Sequence, residues 1–101
     1  MIGLVGSGNM ARALALGWGE PVLCTDVVQE KAEALAAETG GEALPGNGDL
    51  ADRADLIVLC HKPAQLEEVA EQVGGRAKGV ISILAATPLA QVKAAYEGTP
   101  V

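Results

Sequence analysis

The chain has 101 residues, half of them apolar, and a net charge of −6 from 7 basic and 13 acidic side chains. That length holds one small domain at most, and an acidic chain without a basic cluster excludes nucleic-acid binding by phosphate neutralisation. Only Trp18 and Tyr96 are aromatic, so the core must be built from Ala, Val, Leu and Ile, as in a parallel sheet covered by helices. No apolar run approaches the roughly 20 residues of a membrane span, and a chain that opens in its first strand leaves no room for a signal peptide. Cys24 and Cys60 lie in apolar runs outside any Cys-x-x-Cys pair and read as buried thiols of a reducing compartment. One histidine and two distant cysteines make no metal site. The expectation is a soluble, cytoplasmic α/β domain.

Ile2–Val5 reads as the first strand, and Gly6-Ser7-Gly8-Asn9-Met10-Ala11 follows it directly. This is G-x-G-x-x-A on a strand-to-helix turn, with a helix from Asn9 to about Gly17. Gly6 permits the tight turn, Gly8 keeps a Cβ away from an approaching phosphate, and Ala11 lets the helix pack close to the strand. The helix-start amides and the helix dipole would face the pyrophosphate of a dinucleotide. Gly6, Ser7, Gly8, Asn9 and Met10 are its candidate contacts. Ser7, lacking a nucleophile-elbow context, contributes its backbone. Pro21–Thr25 reads as the second strand, ended by Asp26. Twenty residues after Gly6, an acid can accept hydrogen bonds from the adenosine ribose and repel a 2′-phosphate, which favours NAD over NADP. The competing reading makes Asp26 a solvated cap of the next helix.

That helix is expected from about Val28 to Thr39, stopped by Gly40-Gly41. Glu42–Leu44 is a short third strand, and Asn47 or Asp49 caps a brief helix through Ala54. Leu56–Cys60 is a continuous apolar fourth strand. Pro63 suits the first position of a helix carrying Leu66, Val69, Ala70 and Val73 at i, i+3, i+4 and i+7. Glu67, Glu68 and Glu71 form its solvated face, and Gly74-Gly75 ends it. Val80–Leu84 is the fifth strand, and Thr87-Pro88 starts a last helix with Leu89, Val92 and Tyr96 on one face. Trp18 and Tyr96 are expected to pack helices onto the sheet. Repeated strand–helix units imply right-handed crossovers and a Rossmann-type parallel sheet of order 3-2-1-4-5. The nicotinamide of a bound NAD(P)H would then lie over the ends of the fourth and fifth strands. His61, at the carboxyl end of the fourth, sits where such sheets bind ligands. Its ordinary pKa of about 6.5 suits proton transfer, although a lone histidine is more often incidental. Lys62 is an anion contact or a side chain snorkelling from a strand end. Thr99-Pro100-Val101 looks like the start of a further strand. Residues 1–101 are therefore expected to be an NAD(P)-binding domain incomplete at its C-terminal end, with the alternative of a naturally short protein.

Ile2 to Ala11 resembles the opening of the pyrroline-5-carboxylate reductases, whose usual fingerprint is G-x-G-N-M-A. The Asn9-Met10 pair separates it from hydroxyisobutyrate-type dehydrogenases, whose pattern continues with Met-Gly. Asn47, eight residues before Asp55, resembles the family Asn that contacts the adenosine side of the cofactor. The run from Asp55 to Pro63 resembles the family strand ending in Lys-Pro, and implies His61, Lys62 and Pro63 beside the nicotinamide half. Val80 to Ala86 resembles the next strand, which runs into Ala-Ala-Gly and implies a cofactor contact at Ala85. The likeness spans the chain. It implies hydride transfer from NAD(P)H to the C=N bond of 1-pyrroline-5-carboxylate, giving proline. It also implies a helical dimerisation domain beyond this chain, hence a homo-oligomer whose substrate pocket and proton donor lie in that domain or a partner chain. The 101 residues alone are expected to bind cofactor weakly without turnover, and an apolar face left by the absent segment to drive dimerisation or aggregation. His61 replaces a small apolar residue of the family, and Leu84 and Ala86 replace Ala and Gly. Added volume narrows the space around the ring. It keeps open a different imine or carbonyl substrate, or a dinucleotide-binding sensor that catalyses nothing.

Overall fold

A computed structural model describes residues 1–73, 76–83, 89–96 and 99–101. In chain order the elements are β1 (Ile2–Val5), α1 (Asn9–Trp18), β2 (Leu23–Thr25), α2 (Gln29–Thr39), β3 (Glu42–Ala43), α3 (Asn47–Arg53), β4 (Leu56–Leu59), a 3-10 turn at Pro63–Gln65, α4 (Leu66–Val73), β5 (Val80–Ser82) and α5 (Leu89–Ala95). The strands form one parallel sheet of order β3-β2-β1-β4-β5, the expected topology. Val5 pairs with Thr25 on one side and Leu59 on the other. The chain leaves β1 toward β2 and returns to β4 across it, so the crevice of this switch point opens over the end of β1.

Alternate strand residues face opposite sides of the sheet, and two cores result. Leu4, Cys24 and Val58 pack with Ala11, Ala15, Ala32 and Leu35 of α1 and α2. Val5, Leu23, Ile57, Leu59 and Val80 pack with Leu50, Leu66, Val69, Val73, Val92 and Tyr96 on the other face. The expected stripe of α4 is buried throughout. Leu66, Val69 and Val73 each contribute about 1.5–3 kcal/mol by leaving water, so the attachment of α4 needs nothing from its exposed glutamates. Gly40 ends α2 in the left-handed region, with φ 71°, as its place after Thr39 predicts. Pro100 accepts a hydrogen bond from the Val80 amide at 2.8 Å, and Val101 packs on the second core. The terminal residues thus reach the outer edge of β5, where a further strand was expected to begin.

Several expectations need correction. Tyr96 is buried, and burial pushes its phenol up to about 12, but Trp18 is 40% exposed. It shares a helical stripe with Ala11 and Ala15, yet it is the last residue of α1, where the chain turns away at Gly19. Cys24 is buried, whereas Cys60 is only half-buried, because β4 stops at Leu59. β2 begins at Leu23 rather than Pro21, β3 ends at Ala43, and Val28 precedes α2 instead of opening it. Neither Asn47 nor Asp49 caps α3. Gly46 holds that position without a side-chain cap, since the Asn47 amide is engaged elsewhere. Pro63 opens the 3-10 turn, and α4 starts three residues later. The expected stop at Gly74-Gly75, the end of the fifth strand at Leu84 and the helix start at Thr87-Pro88 lie outside the described residues. Among the described residues no helix is long and apolar enough to cross a membrane, and no group of His, Cys, Asp or Glu side chains gathers as a metal site.

Candidate functional site

The two glycines of the first turn have different reasons to be there. Gly6 has φ +97°, and a Cβ on it would lie 2.8 Å from the Cys60 carbonyl and the His61 amide nitrogen. The fold itself demands that glycine. Gly8 has φ −81°, which any residue adopts, and a Cβ there would meet nothing within 4 Å. Nothing in the protein forbids a side chain at Gly8. The empty space beyond it, at the start of α1, is where an anion would approach.

The helix is set to receive one. α1 has no side-chain cap and no acid in its first turn, whereas α2, α3 and α4 each carry at least one first-turn acid. The opening amides of a helix lack intrahelical partners and the dipole is positive there. An incoming phosphate would satisfy both. The donor arrangement fits a pyrophosphate, with one exception. The Ser7 amide donates to Asp26 Oδ2 at 2.8 Å, and the Ser7 hydroxyl donates to the Thr25 carbonyl at 3.0 Å. Ser7 thus closes the floor of the turn, and the amides of Gly8, Asn9 and Met10 remain the ones at the open helix start.

Over this turn lies a crevice of about 410 Å³ bordered by Gly6, Ser7, Gly8, Asp26, Asn47, His61 and Lys62. The sequence candidates are therefore brought together from the ends of β1, β2 and β4 and the start of α3. A second, shallower hollow shares Ser7, Gly8 and Lys31 with it and adds Asn9, Arg12 and Glu38. Met10 is 61% exposed on the first turn of α1, and Pro63 directly follows Lys62. Ala85 lies outside the described residues. Asp26 is not the cap its competing reading required, since Val28 holds that position on α2 without a side-chain cap; its Oδ1 instead accepts from the Val28 amide at 2.8 Å, just ahead of the helix. One carboxylate ties the glycine turn to the start of α2.

Three polar residues that sequence reasoning passed over complete the β2 side. The Thr25 hydroxyl donates to Asn47 Oδ1, and Asn47 Nδ2 donates to Gln72 Oε1 at 2.6 Å. This chain of hydrogen bonds joins β2, α3 and α4. Lys31 borders both hollows. Its place five residues after Asp26 is a signal available in the sequence; nothing there marks Gln72. Arg12 Nε donates to both oxygens of Glu38, at 3.0 and 2.8 Å, which holds that carboxyl below its ordinary range and engages one of the guanidinium's donors. Val27, 85% exposed, adds apolar surface at the rim.

The β4 side is built differently. Cys60 and His61 follow β4 and pass against Gly6. Burial pushes the Cys60 thiol up to about 11, so it is no nucleophile at neutral pH. His61 Nδ1 lies 2.8 Å from the Lys62 carbonyl. Burial lowers the His61 pKa, against a smaller opposing effect of that carbonyl, and the ring is neutral at pH 7. Nε2 is shielded from water and has no hydrogen-bond partner among the described residues. An orphaned buried polar atom of this kind costs about 1–3 kcal/mol.

Known proteins share this fold. Residues 1–86 match the family described as NADP oxidoreductase, coenzyme F420-dependent. A pyrroline-5-carboxylate reductase of Aquifex aeolicus is 32% identical over 97 residues, covering 91% of this chain and 36% of the relative. The solved pyrroline-5-carboxylate reductase of Coxiella burnetii superposes with a TM-score of 0.84 at 24% identity, over 96% of this chain and 40% of that one. The Plasmodium falciparum pyrroline carboxylate reductase, solved with NADP bound, gives a TM-score of 0.74 at 20% identity, over 94% and 37%. This chain therefore spans well under half the length of the reductases it matches. The chain belongs to the F420-dependent NADP oxidoreductase family, with its similarity to known proteins running to the pyrroline-5-carboxylate reductases.

Proposed function

We propose that this chain is the dinucleotide-binding part of a reductase that delivers hydride from NAD(P)H to the C=N bond of 1-pyrroline-5-carboxylate, yielding proline. The observation that carries the reading is Gly8, a glycine the fold does not need, facing open space at an uncapped helix start. The pyrophosphate would rest on the turn from Gly6 to Met10. The adenosine half would extend toward Asp26, Asn47 and the apolar rim at Val27, and the nicotinamide half toward His61, Lys62 and Pro63, with Ala85 as a further contact. When bound, the cofactor supplies the hydride; this chain binds it, orients it and walls off one side from water.

Asp26 favours NADH. Its carboxylate is pinned at the end of β2 by two amides and would face a 2′-phosphate at close range, while Arg12 is held by Glu38. Lys31 is the group that moderates this preference. A helical domain outside this chain, or a second chain, would supply the substrate pocket, the proton donor and the homo-oligomer interface. Residues 1–101 would then form an NAD(P)-binding domain completed by further sequence, in a cytoplasmic enzyme of proline biosynthesis. Ile81, 47% exposed on β5, belongs to the apolar surface that such a domain or a second copy would cover. The Aquifex aeolicus relative and the Coxiella burnetii structure are both pyrroline-5-carboxylate reductases, which favours the imine over the sensor and carbonyl readings, while a shikimate dehydrogenase and a 3-hydroxyisobutyrate dehydrogenase share the fold.

The test is titration with NADH and NADPH, together with a turnover assay on 1-pyrroline-5-carboxylate. The chain alone should bind NADH more tightly than NADPH and form no proline in steady state. Sustained proline formation by these 101 residues would contradict the division of labour, and no binding by a folded sample would contradict the dinucleotide reading.

A further inference from the structure

We propose that His61 Nε2 is a hydrogen-bond acceptor for a donor on the nicotinamide half of the dinucleotide, either a ribose O–H or the carboxamide N–H. This rests on the dinucleotide reading and names the atom that would recognise one end of the cofactor.

The tautomer follows from one contact. Nδ1 lies 2.8 Å from the Lys62 carbonyl, and a carbonyl oxygen only accepts, so Nδ1 must carry the proton. In a neutral imidazole the other nitrogen is then a bare acceptor. Nε2 has no partner among the described residues and exposes no surface to water, although the residue borders the crevice. The missing partner is therefore a donor, and phosphate or carboxylate oxygens, which only accept, do not qualify.

Position selects the half of the ligand. The Gly6 turn packs against the Cys60–His61 backbone, so His61 stands beside the pyrophosphate turn on the β4 side. Asp26 and Asn47 stand on the β2 side, where the first strand–helix–strand unit places the adenosine ribose. A dinucleotide centred over β1 brings its other nucleoside to His61. Both candidate donors lie on that nucleoside. Because Nε2 exposes no surface, the ring must swing toward the crevice to meet them. The same tautomer gives Nε2 no proton to deliver, so His61 acts as a binding and orienting group rather than a general acid.

The experiment titrates the chain, His61→Ala and His61→Gln with NADH, ADP-ribose and ADP, and reads the His61 tautomer by long-range nitrogen-15 NMR. The Nδ1–H form is expected. His61→Ala should weaken NADH binding about fivefold to tenfold, the size of one hydrogen bond, and leave ADP unchanged. His61→Gln, which keeps an acceptor near the same place, should recover most of the loss. A loss shared by ADP-ribose assigns the ribose hydroxyl, and a loss confined to NADH assigns the carboxamide. Equal NADH affinity in wild type and His61→Ala, or an Nε2–H tautomer, would overturn the proposal while leaving dinucleotide binding intact. A wild-type chain that binds neither NADH nor ADP would overturn both.

Discussion

On the β2 side of the crevice the polar side chains are tied to one another; on the β4 side Gln65 accepts from the Lys62 amide at 3.2 Å, but the His61 ring is left half-satisfied. Asp26 takes the amides of Ser7 and Val28, and Thr25, Asn47 and Gln72 form one hydrogen-bonded chain. Across β1, the His61 ring has one nitrogen bonded to the adjacent carbonyl and the other without a partner among the described residues. The first side is preorganised, and a ligand there meets groups already in place. The second side keeps an unmet acceptor, so part of its geometry waits for a ligand. The proposed role in a reductase would give this split a reason. Its anchor can be rigid and built locally, while its reacting end must agree with a substrate held by another part of the protein.

The comparison can be broken most severely at Gly6. Gly6→Ala forces a positive φ on a residue with a Cβ and drives that atom into the Cys60–His61 backbone. It should cost about 3 kcal/mol of stability, read as a lower midpoint in urea denaturation, and should disturb both sides together. Next is Asp26→Asn. Removing the charge should shift the NADPH-to-NADH affinity ratio toward NADPH by about tenfold, the size of one lost charge–charge opposition near a surface. An unchanged ratio in paired titrations would confine Asp26 to its structural task. Gln72→Ala should cost about 1 kcal/mol in denaturation through the lost bond to Asn47 and weaken ADP binding, with little effect specific to the nicotinamide half. The smallest effect is acid sensitivity. The His61 pKa is lowered in the folded chain, so its contribution to stability is present above the ordinary value near 6.5. The unfolded state takes up the proton first as pH falls through that value, and stability declines. His61→Gln should lose less stability than wild type between pH 7 and pH 5.

The preorganised side was also the more legible one. The glycine turn, the acid after β2 and the buried stripe of α4 are local patterns, and periodicity or spacing exposes them. Strand order followed from the same patterns, because consecutive strand–helix units leave few topologies. What stayed hidden depends on neighbours distant in sequence. Asn47 looked like a helix cap until Thr25 and Gln72 came within reach of its amide. Trp18 has the right helical phase for burial and lacks only sheet beneath it. The contrast between Gly6 and Gly8 exists only in three dimensions, since one φ value and one neighbouring backbone separate a glycine the fold requires from one it does not. The state of His61 hinged on a carbonyl one residue away and on burial that no pattern shows.

The most direct test of the account is calorimetric titration of NADH into the chain and into Gly8→Ala, with thermal unfolding of both. Gly8→Ala should fold with stability within about 1 kcal/mol of wild type, since only a helix-start preference changes, yet bind NADH at least about tenfold more weakly, since the new Cβ enters the pyrophosphate space. Equal affinity in two equally folded proteins would contradict the claim that the open space at Gly8 is a phosphate site.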